Sequence, residues 1–262
     1  MSMNTDDTAM HRMAADVLAT IRRTHPLVLS LTNSVVQTIT ANMLLAVEAA
    51  PVMLNDAEEA AELLRLCGSA LLVNVGTLSR TQETVMRAAA KTAHEHSVPW
   101  VLDPVAVGLL SYRTAFCAEL LTLKPTMIRG NASEIMALAG LDAAGRGTDS
   151  TVGSESAVDA ARDLARRSGA AVLVTGEVDY ATDGETVVAI HSGHPLMTRV
   201  TGVGCAMGAL CAACVASVAT PLQGAVAASY ILGDAGVHAA ARAPHPGSFA
   251  ATLLDELDKL YR

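Results

Sequence analysis

Short apolar runs that stop at polar turn-formers alternate along this chain with longer stretches whose apolar residues recur every three or four positions. In residues 8–23, Met10, Met13, Val17, Leu18 and Ile21 fall near helical spacing and predict an amphipathic helix. The run at 26–31 stops at Thr32-Asn33, which predicts a strand, a cap at Asn33 and a helix over 35–47. A very short run at 51–53 follows, and Asp56 predicts the start of a helix over 57–66. Beyond it the alternation is regular, with strands over 70–75, 98–102, 126–128 and 171–174 and helices over 81–94, 113–121, 133–139 and 155–167. Such a pattern is produced by right-handed βαβ crossovers, so it predicts an α/β fold: a doubly wound, mostly parallel central sheet with helices on both faces. Residues 178–182 and 186–191, joined by Asp183-Gly184, read as a hairpin with a type I′ turn that adds antiparallel strands. Residues 140–154 are rich in Gly, Asp, Ser and Thr and read as a surface loop or a mobile cover. A glycine-rich turn at 200–204, a buried helix, an Ala-rich helix over 222–241 and a last helix over 249–261 complete a chain read as one domain, 1–262.

Composition narrows the class. Half of the residues are apolar (51%) but only 3% are aromatic, so Ala, Val, Leu and Gly supply the bulk, which suits close-packed helices on a sheet. A net charge of −8 without any block of Lys or Arg argues against nucleic acid and anionic membranes, and favours small molecules. The five cysteines, Cys67, Cys117, Cys205, Cys211 and Cys214, are odd in number and scattered. Cys211 and Cys214 lie in an apolar helical run and read as small hydrophobes, so the usage predicts a reduced, cytoplasmic protein. Asp6, Asp7, His11, Arg12 and Asp16 interrupt the first stretch, so no signal peptide is expected. Residues 200–219 are uncharged over the length of a membrane span. Their small residues, opening turn and following Pro221 predict a helix buried in protein instead.

Ligands of open parallel sheets bind beyond the C-terminal ends of the strands. Polar clusters fall at those predicted ends: Thr32-Asn33, Gly76-Thr77, Asp103-Pro104, Arg129-Gly130-Asn131, Thr175-Gly176-Glu177 and the turn at Gly202. Turn chemistry alone accounts for any one of them. Asn33 caps a helix or also binds a ligand. Asp103 shapes a turn or holds magnesium, directly or through water. Asn131 and Glu134 have capping-box spacing, and Glu134 is a second carboxylate for the same ion. Arg129 is a surface charge or a phosphate partner. Gly202 and Gly204 precede a helix start, where free N–H groups and the dipole favour an anion. Cys205 projects there, either as a small hydrophobe or as a nucleophile or weak base whose pKa the helix N-terminus lowers, with His191 or His194 as a partner.

Six ordered motifs carry a resemblance: Leu31-Thr32-Asn33-Ser34-Val35-Val36-Gln37, Ala50-Pro51-Val52-Met53, Leu102-Asp103-Pro104-Val105-Ala106-Val107-Gly108, Ile128-Arg129-Gly130-Asn131-Ala132-Ser133-Glu134-Ile135, Val174-Thr175-Gly176-Glu177-Val178-Asp179 and Val200-Thr201-Gly202-Val203-Gly204-Cys205. With them the chain resembles the hydroxyethylthiazole kinase family of the ribokinase-like superfamily. The resemblance implies transfer of the ATP γ-phosphate to the hydroxyl of 4-methyl-5-(2-hydroxyethyl)thiazole in thiamin salvage, with Mg2+, in a homotrimer whose active sites lie between subunits. It implies that Met53 and Gly202 contact the thiazole, that Arg129 and Thr175 contact ATP, and that Asp103 and Glu134 serve the magnesium. Cys205 stands where related kinases carry an aspartate base. Departures from the family pattern are Leu29 for a histidine near the expected thiazole wall, Glu48 for a glycine, and Val203 in the turn. The rival readings are a hydroxymethylpyrimidine kinase, a cysteine amidohydrolase with Cys205 as nucleophile, and a nucleotide-binding regulatory protein.

Overall fold

The computed structural model describes residues 2–3, 7–141 and 153–262. Nine strands, β1 (Ser2–Met3), β2 (Leu27–Leu31), β3 (Ala50–Val52), β4 (Ala70–Asn74), β5 (Trp100–Asp103), β6 (Met127–Asn131), β7 (Ala171–Thr175), β8 (Asp179–Thr182) and β9 (Val187–Ile190), form one sheet in the order β1-β9-β8-β7-β6-β5-β4-β2-β3. Every neighbouring pair is parallel except β7 with β8 and β8 with β9, so among the described strands β8 alone runs against the rest. The helices are α1 (Asp7–Thr24), α2 (Gln37–Ala46), α3 (Ala57–Leu66), α4 (Arg80–Glu95), α5 (Ser111–Leu121), α6 (Ala132–Leu138), α7 (Val158–Ser168), α8 (Val203–Val215), α9 (Pro221–Arg242) and α10 (Pro246–Lys259).

The two faces of the sheet bury two separate cores. Ala70 and Leu72 of β4 pack with α1, α2, α8, α9 and α10, while Leu71 and Val73 pack with α3 to α7. A strand covered on both sides must be apolar at odd and even positions alike, which is why the strands read as unbroken apolar runs. Local chemistry sets several helix starts. Asp56 Oδ1 accepts from the N–H of Glu58 (2.9 Å) and Glu59 (3.0 Å), as expected, and Asn131 and Glu134 form a reciprocal box at α6. Ser79 with Gln82, and Thr220 with Gln223, do the same at α4 and α9.

Two expectations are corrected. Asn33 does not cap α2, whose N-cap is Val36 without a side-chain bond; its Oδ1 instead turns the backbone by accepting from Val35 N–H at 3.1 Å. The hairpin turn is not a two-residue type I′ turn, because Thr182 pairs with Val187 and leaves a four-residue loop. Asp183 Oδ1 organises that loop by accepting from the N–H of Glu185 (3.0 Å) and Thr186 (2.8 Å), and only Gly184 takes a positive φ, +97°. Leu29 is fully buried in the α3–α7 core, together with Leu31, Val85 and Met86. Glu48 takes φ +62°, the left-handed backbone that explains a glycine in the family pattern. Most of the 140–154 stretch, residues 142–152, lies outside the described residues.

Helix α8 is buried along almost its whole length, and Cys211 and Cys214 are fully buried free thiols within it. Among the described residues no helix is long and apolar enough to cross a membrane. Its contact with the sheet depends on Gly208, where a Cβ would sit 2.9 Å from Leu72 Cδ1 and 3.4 Å from Asp103 Oδ2. Two effects oppose each other in Gly208→Ala. Helix propensity favours alanine by about 1 kcal/mol, and overpacking costs about 1–3 kcal/mol. Because Leu72 is itself packed on every side, overpacking wins, and urea unfolding of Gly208→Ala is expected to show a net loss of about 1 kcal/mol.

Candidate active site

Side chains alternate along a strand, and this period places the site. Val101, Met127 and Leu173 face the α8 side, so Asp103, Arg129 and Thr175, two residues on in β5, β6 and β7, face it too. By the same count Asn74 follows Leu72 in β4, and it lies directly opposite Asp103 across the strand pair. Four adjacent strands thus end with polar side chains under the first turn of one helix.

These groups form one hydrogen-bonded chain. Asn33 Nδ2 donates to Asn74 Oδ1 (3.0 Å), and Asn74 Nδ2 donates to Asp103 Oδ2 (2.6 Å). Arg129 Nη1 lies 3.6 Å from the same oxygen, and its Nη2 donates to Thr175 Oγ1 (3.0 Å), which in turn donates to the carbonyl of Gly130. Asp103 Oδ1 and Arg129 Nε are buried and have no protein partner. Burial pushes the Asp103 carboxyl up to about 7, against the pull of Arg129 and Asn74 and with a further push from Glu134. Burial alone would lower the Arg129 guanidinium, but Asp103 and Glu134 hold it above its ordinary value, so it stays a cation.

Glu134 has both oxygens engaged. Oε2 accepts from Asn131 N–H and Oε1 from Ala106 N–H, each at 2.9 Å, which ties α6 to the loop after Asp103. That loop carries Ala106 at φ +63°, a strained backbone held in place from outside. Gly202 caps α8 at φ +94°, where a Cβ would also meet Ile39 Cγ2 at 2.8 Å and Val36 Cγ1 at 2.9 Å. A glycine cap offers no side-chain acceptor, so the first N–H groups of α8 remain available to an anion. At Gly204 a Cβ would lie 3.4 Å from Arg129 Nη2, which sets the guanidinium against that first turn.

Cys205 is half-buried in the same turn, and its thiol is shifted opposite to the sequence expectation. Burial, and then the Asp103 carboxylate, raise it, while hydrogen bonds from Asn74 and Asn33 and the charge of Arg129 pull the other way. Burial and a nearby carboxylate outweigh the helix dipole. Neither predicted histidine partners it: His194 accepts from Leu196 N–H, and His191 lines a separate cleft with Asp7, Glu177, Tyr230 and Asp234.

Met53 sits elsewhere. It lines a half-open cavity of about 570 Å³ with Leu31, Leu54, Val85 and Met86, and Gly202 is not part of that wall. Ser30 and Thr32 also line it, and both hydroxyls are buried without a protein partner. Within one chain the structure therefore unites Asn33, Asp103, Arg129, Thr175, Gly202 and Cys205, with Glu134 alongside, and sets Met53 apart. Sequence reasoning missed Asn74 and Ser30 as members of this region. The available signal was a polar residue at an even step inside each of two apolar runs, 26–31 and 70–75.

The profile of the hydroxyethylthiazole kinase family matches residues 18–262. The chain belongs to the hydroxyethylthiazole kinase family. A hydroxyethylthiazole kinase from Akkermansia muciniphila is 58% identical over 240 residues, 92% of this chain and 89% of that one. The solved hydroxyethylthiazole kinase of Pyrococcus horikoshii OT3 superposes with a TM-score of 0.87 at 38% identity, covering 95% of this chain and 93% of that one. A ribokinase-like superfamily protein from Enterococcus faecalis V583 shares the fold at TM-score 0.62 and 12% identity, over 96% of this chain and 83% of that one. The hydroxyethylthiazole kinase family thus brings its ribokinase-like α/β fold to a site whose Asp103 makes a measurable electrostatic prediction. The folded chain holds the Asp103 proton more tightly than the unfolded chain, so this group's contribution to stability falls as pH rises from about 4 through about 7. Urea midpoints at pH 5 and pH 8 are expected to show that decline in the parent and its loss in Asp103→Asn.

Proposed function

We propose that this chain transfers the γ-phosphoryl group of ATP to the primary hydroxyl of 4-methyl-5-(2-hydroxyethyl)thiazole, the salvage reaction of thiamin synthesis, as a Mg2+-using cytoplasmic homotrimer. The activity follows from membership of the family. The observation that supports the assignment of the site is the continuous chain from Asn33 through Asn74 and Asp103 to Arg129 and Thr175, laid under the uncapped start of α8.

Phosphoryl transfer passes through a loose transition state with charge spread over the moving group, so positioning and neutralisation matter more than a strong base. Arg129, steadied by Thr175, supplies a buried cation, and the N–H groups of the Gly202 turn supply fixed dipoles. Cys205 stays a thiol at neutral pH, so its part is to orient the acceptor hydroxyl, whose proton leaves on an oxygen of the transferred phosphoryl group. The raised thiol and the absence of a histidine among its partners weigh against a nucleophilic amidohydrolase.

A magnesium ion carried by ATP keeps most of its ligands as water and phosphate and needs only one or two protein carboxylates. Asp103 Oδ1, buried and unpartnered, suits it. Glu134, with each oxygen already accepting an N–H, suits contact through water, and no group of three or more ligating side chains occurs among the described residues. When bound, the ion would neutralise phosphate charge. For the thiazole, the cavity at Met53 has apolar walls and two unpartnered hydroxyls, a match for a small heterocycle with an acceptor atom. The separation of that cavity from Gly202, together with exposed Val35 and Leu45 flanking and on α2, supports a site completed by a neighbouring subunit.

A coupled ADP-release assay with the thiazole alcohol, the hydroxymethylpyrimidine alcohol and pyridoxal tests the reading. Turnover with the thiazole alcohol is expected to dominate, and none at all refutes the proposal. Cys205→Ala is expected to lower kcat only about 3–10-fold, and Cys205→Asp to keep or raise it. Light scattering is expected to give three chains of 27.0 kDa per particle.

A further inference from the structure

Asn74 ends β4 fully buried, and its amide touches both halves of the site. Its Oδ1 accepts from Gly76 N–H and from Asn33 Nδ2, both at 3.0 Å, and its Nδ2 donates to Asp103 Oδ2 at 2.6 Å. A backbone N–H can only donate, so Gly76 decides which end of the Asn74 amide is oxygen and turns the nitrogen toward Asp103. The Asn33 amide is fixed in the same way by Val35 N–H. Two backbone groups therefore set the direction of the whole relay. Asp103 Oδ2 is committed to Asn74 and Arg129, and Oδ1 is the carboxylate atom left over. Both amides also act on the nearby Cys205 thiol, pulling its pKa down against the larger effect of burial. Room for the relay is kept by Gly76, where a Cβ would lie 2.7 Å from Asn33 Nδ2.

We propose that Asn74 is a positioning residue for phosphoryl transfer: it presents Asp103 Oδ1 to the reacting groups and holds that carboxylate in register with Asn33 and Cys205 on the alcohol side. This rests on the kinase reading above. A displacement of about 1 Å at a reacting centre costs about 100-fold in rate. Loss of the relay therefore falls on kcat, with the two substrates still bound by other groups.

Three substitutions separate the donor from the shape. Asn74→Leu keeps the size and branching but loses the donor to Asp103; Asn74→Ser keeps a donor and loses shape; Asn74→Ala loses both. The measurements are kcat, KM for each substrate, the Kd of ATP by calorimetry, and the urea midpoint. Expected are falls in kcat of about 10-fold for Asn74→Ser and about 100-fold for Asn74→Leu and Asn74→Ala, with KM and Kd within about 3-fold. The proposal is overturned by Asn74→Leu matching or exceeding Asn74→Ser, by losses that appear in KM, by a flat series, or by failure of all three to fold, which would make Asn74 a folding residue. A parent chain that phosphorylates no alcohol overturns the kinase reading and this proposal with it; an active parent with a flat series overturns this proposal alone.

Discussion

A carboxylate and a guanidinium buried side by side under the start of a helix constrain much of what surrounds them. Asp103 is wholly inaccessible and Arg129 nearly so, and taking such charges out of water is costly unless each is met by a partner. Asn74 meets one Asp103 oxygen, and Thr175 meets one Arg129 nitrogen, while Asp103 Oδ1 and Arg129 Nε remain unmet. A site built this way is incomplete by construction. Its remaining hydrogen-bonding capacity is aimed inward at the place where charged reactants would sit, and stability is given up to keep it there.

The glycines of α8 follow from that burial. The helix must come close enough to exclude water from the pair yet leave its own N-terminal dipoles facing it. Gly208 permits the close approach over Leu72 and Asp103, Gly204 lets Arg129 reach the first turn, and Gly202 bends the chain through a left-handed backbone against Val36 and Ile39. On the other side, Glu134 serves the same end indirectly. By accepting from Ala106 and Asn131 it holds the loop after Asp103 and the start of α6 as one piece, so the carboxylate that the sequence offers as a metal ligand is also a structural clamp.

The fold was legible because a doubly wound sheet writes itself as alternating runs, and each strand end is marked by the polar residue that closes it. Asp56, Asn131 and Glu134 were readable as caps because capping is local chemistry with fixed spacing. Asn33 was misread because its spacing to α2 resembles a cap, while its real partner, Asn74, is 41 positions away. Asn74 itself was hidden inside a run that seemed uniformly apolar. Only the pairing of β4 with β5, which sets Asn74 opposite Asp103, reveals it. The Asp183 loop failed for a different reason: the side chain of Asp183 satisfies two N–H groups, so the chain can use a longer loop than the dipeptide alone predicts.

Cys205 shows how a correct motif can carry a wrong electrostatic sign. From sequence, the only visible influence on the thiol is the helix N-terminus, which favours a thiolate. In the fold the thiol also lies near Asp103 and is largely desolvated, and both effects favour the neutral form. A neutral group at this position has a consequence for the turn around it. A carboxylate three residues past a helix cap folds back onto the cap's own N–H, as Glu134 does at Asn131. A neutral thiol at the equivalent position of α8 makes no such claim, and Gly202 supplies no side-chain acceptor either. The N–H groups of the turn thus stay open to an anion, so the neutral state of Cys205 and the openness of that turn go together.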